Sequence, residues 1–134
     1  MSKYGTTTLV RRPFEDTLVE VRAALVAEGF GVLTEIDVRA TMKAKLDIDV
    51  PAQVILGACN PLMAHRAMEV EPSIGILLPC NVVVRQTPDG TIVETIDPAI
   101  LASLSGNAAL EPVAAEVGRA LGAVVGSLDL GVLA

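Results

Sequence analysis

The chain has 134 residues, a net charge of −6 and an apolar fraction of 51%, with Tyr4, Phe14 and Phe30 as its aromatic residues. This length suits one domain, 1–134, with an aliphatic core, while the negative charge and scarcity of aromatics exclude a phosphate-tracking nucleic-acid surface. The uncharged apolar stretches 72–84 and 98–110 are broken by Pro, Ser, Asn or Gly, and neither reaches the ~18–20 residues of a membrane-spanning helix.

In chain order, residues 4–11 (YGTTTLVR) are rich in threonine and predict a first strand. Pro13 opens a helix with Glu15 and Asp16 in its first turn, where the helix dipole favours acids. Phe14, Leu18, Val21 and Leu25 follow one apolar stripe, and Gly29 is a natural stop. Residues 30–36 predict a second strand. Asp37 can cap a short helix carrying Val38, Met42 and Leu46, with Arg39, Lys43 and Lys45 solvated.

Residues 53–58 (QVILGA) return to a strand. Asn60 and Pro61 then suit the cap and first turn of a helix to about Val70. Residues 74–84 predict a long strand kinked at Pro79. TPDG (87–90) turns it into a hairpin with TIVETI (91–96), and Asp97-Pro98 ends that strand. The last helix spans roughly 110–127 with a stripe of Val113, Val117, Ala120 and Val124. Its opposite face carries Gly118, Gly122 and Gly126. Three interior glycines cost roughly 2.5–3 kcal/mol relative to alanine, which close approach by another backbone would offset. A homodimer contact is therefore expected there, and the high apolar content fits a subunit interface.

These elements predict an α+β sandwich, one twisted, mainly antiparallel sheet with helices on one face. Its two cysteines sit in similar settings, LGACNP ending at Pro61 and LLPCNVVV ending at Val84. Together with AHRAM (64–68) and the DP after the hairpin, these segments resemble the family catalogued as domain of unknown function 302. The resemblance spans nearly the whole chain. It implies a fold related to the TATA-binding-protein type, β-α-β(4)-α, commonly dimeric, and it implies no activity. Fold kinship with a DNA-binding protein carries no DNA binding with it.

Cys59 lies just before a helix N-cap, where the positive end of the dipole favours a thiolate. Cys80 follows Pro79 and, in an unbroken strand, shares a face with Ile76, Leu78 and Val82. Parallel flanking strands around a crossover helix would bring the two thiols to one end; antiparallel or separated strands would keep them apart. His65, the lone histidine, tilts back toward Cys59 on the same helix, or alternatively pairs with Glu69 four residues on. The spacings C-x5-H and H-x14-C match no zinc pattern, and a structural site needs a fourth ligand. A phosphate-binding loop, a dinucleotide fingerprint and a nucleophile elbow are all missing from the sequence. Ser103 and Ser105 have no histidine nearby in sequence, and Glu35 with Asp37 reads as capping chemistry.

The start of the chain has no apolar signal region, so cytoplasmic residence with reduced thiols is expected. The expected function is a dimeric small-ligand-binding or interaction module, its ligand apolar or weakly polar and held by Cys59, Asn60, His65, Cys80 and Asn81. The alternative is a thiol-based redox or soft-metal site using Cys59, Cys80 and His65. Membrane and nucleic-acid partners are not expected.

Overall fold

In a computed structural model, which describes residues 4–131, the threonine-rich start of the chain forms β1 (Gly5–Val10). Helix α1 (Phe14–Ala27) follows, and its Leu18, Val21 and Leu25 are buried as the spacing requires. Thr17 joins that face by donating its hydroxyl to the Pro13 carbonyl at 3.0 Å, which removes the penalty of burying an unpaired polar group. Gly29 reverses the chain with φ 85°, a left-handed conformation that side chains resist, and delivers Phe30 into the core at 3% exposure.

Strand β2 (Gly31–Asp37) ends in the cap of α2 (Val38–Leu46), where the Asp37 carboxylate accepts from the Ala40 amide at 2.9 Å. No residue of α2 is buried. Strand β3 (Gln53–Cys59) leads into α3 (Pro61–Val70), and a short 3₁₀ turn (Pro72–Leu77) precedes β4 (Cys80–Thr87). Strand β5 (Gly90–Ile96) closes the hairpin, and α4 (Ala99–Ser105) and α5 (Glu111–Gly126) complete the fold.

The five strands make one fully antiparallel sheet in the order β1-β5-β4-β3-β2. Side chains alternate across a strand. Val54, Leu56 and Ala58 of β3, Val82 and Val84 of β4 and Val93 of β5 therefore share one face, where they pack with Leu18, Val21, Leu25, Val117, Leu121 and Val124 of α1 and α5. Each such side chain, fully buried, contributes about 1.5–3 kcal/mol, so this helix-covered face holds the fold together. A smaller cluster of Ala67, Ile74, Leu101 and Leu110 ties α3 and the 3₁₀ turn to α4. The result is an open α+β sandwich with helices on one side, consistent with the TATA-binding-protein type.

Two expectations are corrected. Residues 74–79 are not the first half of a long strand: Pro72 starts a 3₁₀ turn and strand pairing begins only at Cys80. Pro79 has no amide hydrogen for a ladder, and Ile74 gains a buried position in the smaller cluster that an extended chain would not supply. Helix α4 was not expected; its apolar run 99–105 lacks a charged face to mark a period. Elsewhere the boundaries agree to within a residue or two. On α5, the buried stripe is Ala114, Val117, Leu121 and Val124, one step around from the expected set.

Candidate functional site

Strand β3 runs toward its carboxyl end and stops at Cys59 because Asn60 turns the chain. The Asn60 side-chain oxygen accepts from the Met63 amide at 3.2 Å, and Pro61 occupies the first helical turn. A cap of this kind stabilises a helix start by about 1 kcal/mol. Strand β4 begins at the same end of the sheet. Its Cys80 pairs with Ala58, one residue before Cys59.

The two thiols therefore lie on neighbouring strands, although those strands are antiparallel. The expectation that antiparallel strands would separate them fails for a simple reason. In an antiparallel pair, the last residue of one strand meets the first residues of the next, and the cysteines occupy those two places.

Both thiols line one cavity between the sheet end and the helices. Ala58 of β3 and Cys80 of β4 form its sheet side, flanked by Phe30 and Leu78, with Met63 and Leu101 as its α3 and α4 walls and Val113 and Val117 as its α5 wall. Its volume is about 30 Å³, room for a methyl- or water-sized group. The lining is almost wholly apolar, so it does not offer a water the two to four partners that water needs. Cys59 is half-buried at the rim; Cys80 is 5% exposed. Burial, and secondarily the neighbouring Cys59, push the Cys80 thiol up to about 11. At neutral pH Cys80 is thus a protonated, apolar wall atom rather than a nucleophile or metal ligand, both of which require the thiolate.

The remaining expected site residues fall elsewhere. His65 faces outward on α3, its side chain 73% exposed, and its Nδ1 lies 3.0 Å from the Glu69 carboxylate. The helix presents it on the solvent side, a third of a turn or more from the face that carries Met63 and Ala67. Asn81 is exposed, because it alternates with Cys80 on β4 and projects to the other side of the sheet. Among the described residues, no three His, Cys, Asp or Glu side chains stand together as a metal site, so Cys59, His65 and Cys80 do not form a ligand set.

Sequence reasoning missed the apolar walls and one polar clamp. Arg66 donates through both terminal nitrogens to Glu116 at 3.1 and 3.0 Å, pinning α3 to α5. The paired charges hold the Glu116 carboxyl below its usual range and the Arg66 guanidinium above its own, the hydrogen bond being the larger cause in each case. Fifty residues separate the partners, so no local spacing announces them. Of the three glycines on α5, Gly118 faces Pro98 of the same chain at 3.8 Å, whereas Gly122 and Gly126 have no neighbour within 4 Å where a side chain would project.

An open, one-sheet α+β sandwich with an apolar, thiol-bearing cavity at its end defines the class of this molecule. The chain belongs to the family described as domain of unknown function DUF302, whose sequence pattern matches residues 6–128. A solved relative, an uncharacterized conserved DUF302 protein from Bacillus stearothermophilus, superposes with a TM-score of 0.85 at 29% identity, over 93% of this chain and 98% of that one. No curated protein matches the chain. Among the described residues, no helix is long and apolar enough to cross a membrane.

Proposed function

We propose that this protein is a small-ligand-binding module whose site is the cavity between Cys59 and Cys80. The supporting observation is that two strand ends, three helices and both thiols converge on a single apolar space without filling it, whereas native interiors otherwise pack to crystal-like density. A space of about 30 Å³ admits only a small apolar group. The ligand accordingly inserts a methyl-sized or short alkyl end between Met63 and Leu101 and keeps its polar part at the Asn60–Cys59 rim. A bulkier apolar ligand would require α3 to shift outward against the Arg66–Glu116 clamp.

The test is native mass spectrometry of protein released from cells without denaturation. A retained small molecule is expected in the wild type, and Ala64→Leu, which extends a side chain into the cavity, should remove it. Protein with no added mass, or an added mass that Ala64→Leu leaves in place, overturns this reading.

The shared cavity also favours a second reading, a thiol centre with Cys59 as its reactive member. Burial of Cys80 opposes it. Alkylation of native protein separates the two: cysteines that react only after unfolding fit the binding module, and rapid modification of Cys59 in the native protein fits the thiol centre.

A further inference from the structure

Helix α4 lies back against α5. The buried Pro98 at its start is 3.8 Å from the point where a side chain at Gly118 would begin, and the chain reverses through 106–110, so the end of α4 lies toward the start of α5. A groove of about 430 Å³ runs between the two helices and shares no lining residue with the cysteine cavity. Its floor is made by Ala99 and Ala102 of α4 and by Ala114, Ala115 and Gly118 of α5. Asp97 and Glu111 border it at opposite ends. Asp97 precedes Pro98 and is level with Gly118, whereas Glu111 opens α5, ~10 Å along the helix axis from Gly118. Among the described residues, neither carboxylate has a cationic partner. Asp97 Oδ1 accepts from the Ala99 amide at 3.0 Å, which leaves Oδ2 open toward a ligand.

Gly118 is the informative position. Glycine inside a helix is less stable than alanine, and the backbone here is not in the left-handed region. An added Cβ would meet Pro98 only at ordinary contact distance. Nothing within the chain demands glycine at this place; its effect is to keep the groove deep between the two carboxylates.

We infer that this groove binds a linear aliphatic polyamine, its methylene chain on the alanine and glycine floor and an ammonium group at each of Asp97 and Glu111. Other ligand classes fail on chemistry. A single divalent cation needs its oxygens gathered within ~2–2.6 Å of one point, and carboxylates at opposite ends of a groove do not provide that. An anion meets repulsion at both ends. A neutral polar molecule finds methyl groups where it needs hydrogen-bond partners. A chain with a charge at each end satisfies the whole surface: the ammonium groups donate to carboxylates in charge-assisted hydrogen bonds, and the methylenes leave water against the floor. The Ser103 hydroxyl, which lines the groove toward the Glu111 end, accepts from an interior amine. The net charge of −6 draws a polycation from a distance. That same charge also attracts cations without a site, so the test carries controls of equal charge.

Spermidine is titrated into the full chain by calorimetry at physiological ionic strength, with butylamine and magnesium chloride as comparisons. Saturable one-to-one binding of spermidine is expected, with butylamine, which can engage one end only, and magnesium weaker by about tenfold or more. Asp97→Asn keeps the acceptor for the Ala99 amide and removes the charge. It and Glu111→Gln should each weaken binding about fivefold, the scale of an exposed ion pair. Gly118→Leu fills the groove and should abolish binding, as should Ala115→Leu at an exposed position that does not threaten folding. Glu28→Gln removes the same charge at an exposed place outside the groove and should leave the affinity unchanged.

A wild type that binds no spermidine overturns the inference. So do butylamine or magnesium bound as tightly, groove variants that bind like the wild type, or Glu28→Gln weakening binding as much as Glu111→Gln. Two outcomes overturn it by naming another occupant. A tetralysine peptide bound more tightly than spermidine assigns the groove to a basic protein segment, and a fall in solution mass on Gly118→Leu assigns it to a second copy of the chain. If Gly118→Leu fails to fold, Ala115→Leu decides. Ala64→Leu, which blocks the cysteine cavity, should leave spermidine binding intact, so the two sites stand or fall separately.

Discussion

Raising the pH should unfold this protein partly through one atom, the Cys80 sulfur. The thiol titrates near 9.0 in an unfolded chain and near 11 in the folded one, because burial penalises its thiolate. The sign follows from proton counting. Below pH 9 both states keep the proton and stability is complete. Between 9 and 11 the unfolded chain releases it while the native chain cannot, so stability falls. Above 11 both have lost it and the loss is constant. A shift of two units corresponds to ~2.7 kcal/mol in full, of which ~2 kcal/mol is lost between pH 8 and 10.5. Tyrosine and lysine also titrate in this range, so the measurement is a difference. Urea unfolding of wild type and Cys80→Ala is compared at pH 8 and at pH 10.5. The variant should start less stable, having lost a buried sulfur, yet lose ~2 kcal/mol less than wild type on the way up. Parallel pH slopes for the two proteins would refute the burial argument and with it the assignment of Cys80 as a protonated wall of the cavity.

Three further outcomes follow from packing and pairing around the same end of the sheet. Gly57→Val should destabilise the fold by about 1–3 kcal/mol in urea or thermal unfolding, because a side chain at 57 would meet Thr34 Oγ1 at 2.0 Å and Pro79 Cγ at 2.8 Å; adding Thr34→Ala should recover part of the loss. Asn60→Ala removes the acceptor for the Met63 amide and should cost about 0.5–2 kcal/mol, with faster amide hydrogen exchange confined to the first turn of α3. Charge reversal at Arg66 alone should speed exchange along α3, and the double exchange Arg66→Glu with Glu116→Arg should slow it again, since the paired groups join α3 to α5 through two hydrogen bonds.

The amino-acid sequence by itself determined the elements with strong local causes. Helix α1 follows from a 3.6-residue apolar period bounded by Pro13 and Gly29, α3 from the Asn60-Pro61 start, and the β4–β5 hairpin from TPDG. It also determined the aliphatic core and the family, through the CNP and LLPCNV segments. Local pattern failed at 72–79, where β-branched and apolar residues favour a strand by propensity. There the tertiary structure decided, because Ile74 finds more buried surface beside Leu101 and Leu110 than a ladder interrupted by Pro79 would give it. The site divides in the same way. Asn60 as a cap was legible, since its partner is three residues away. The meeting of Cys59 with Cys80 and the clamp of Arg66 on Glu116 were not, and for His65 the spacing offered its pairing with Glu69 only as one of two alternatives. They depend on strand order and on which helix faces the sheet, and both are set by long-range burial that no window of neighbouring residues contains.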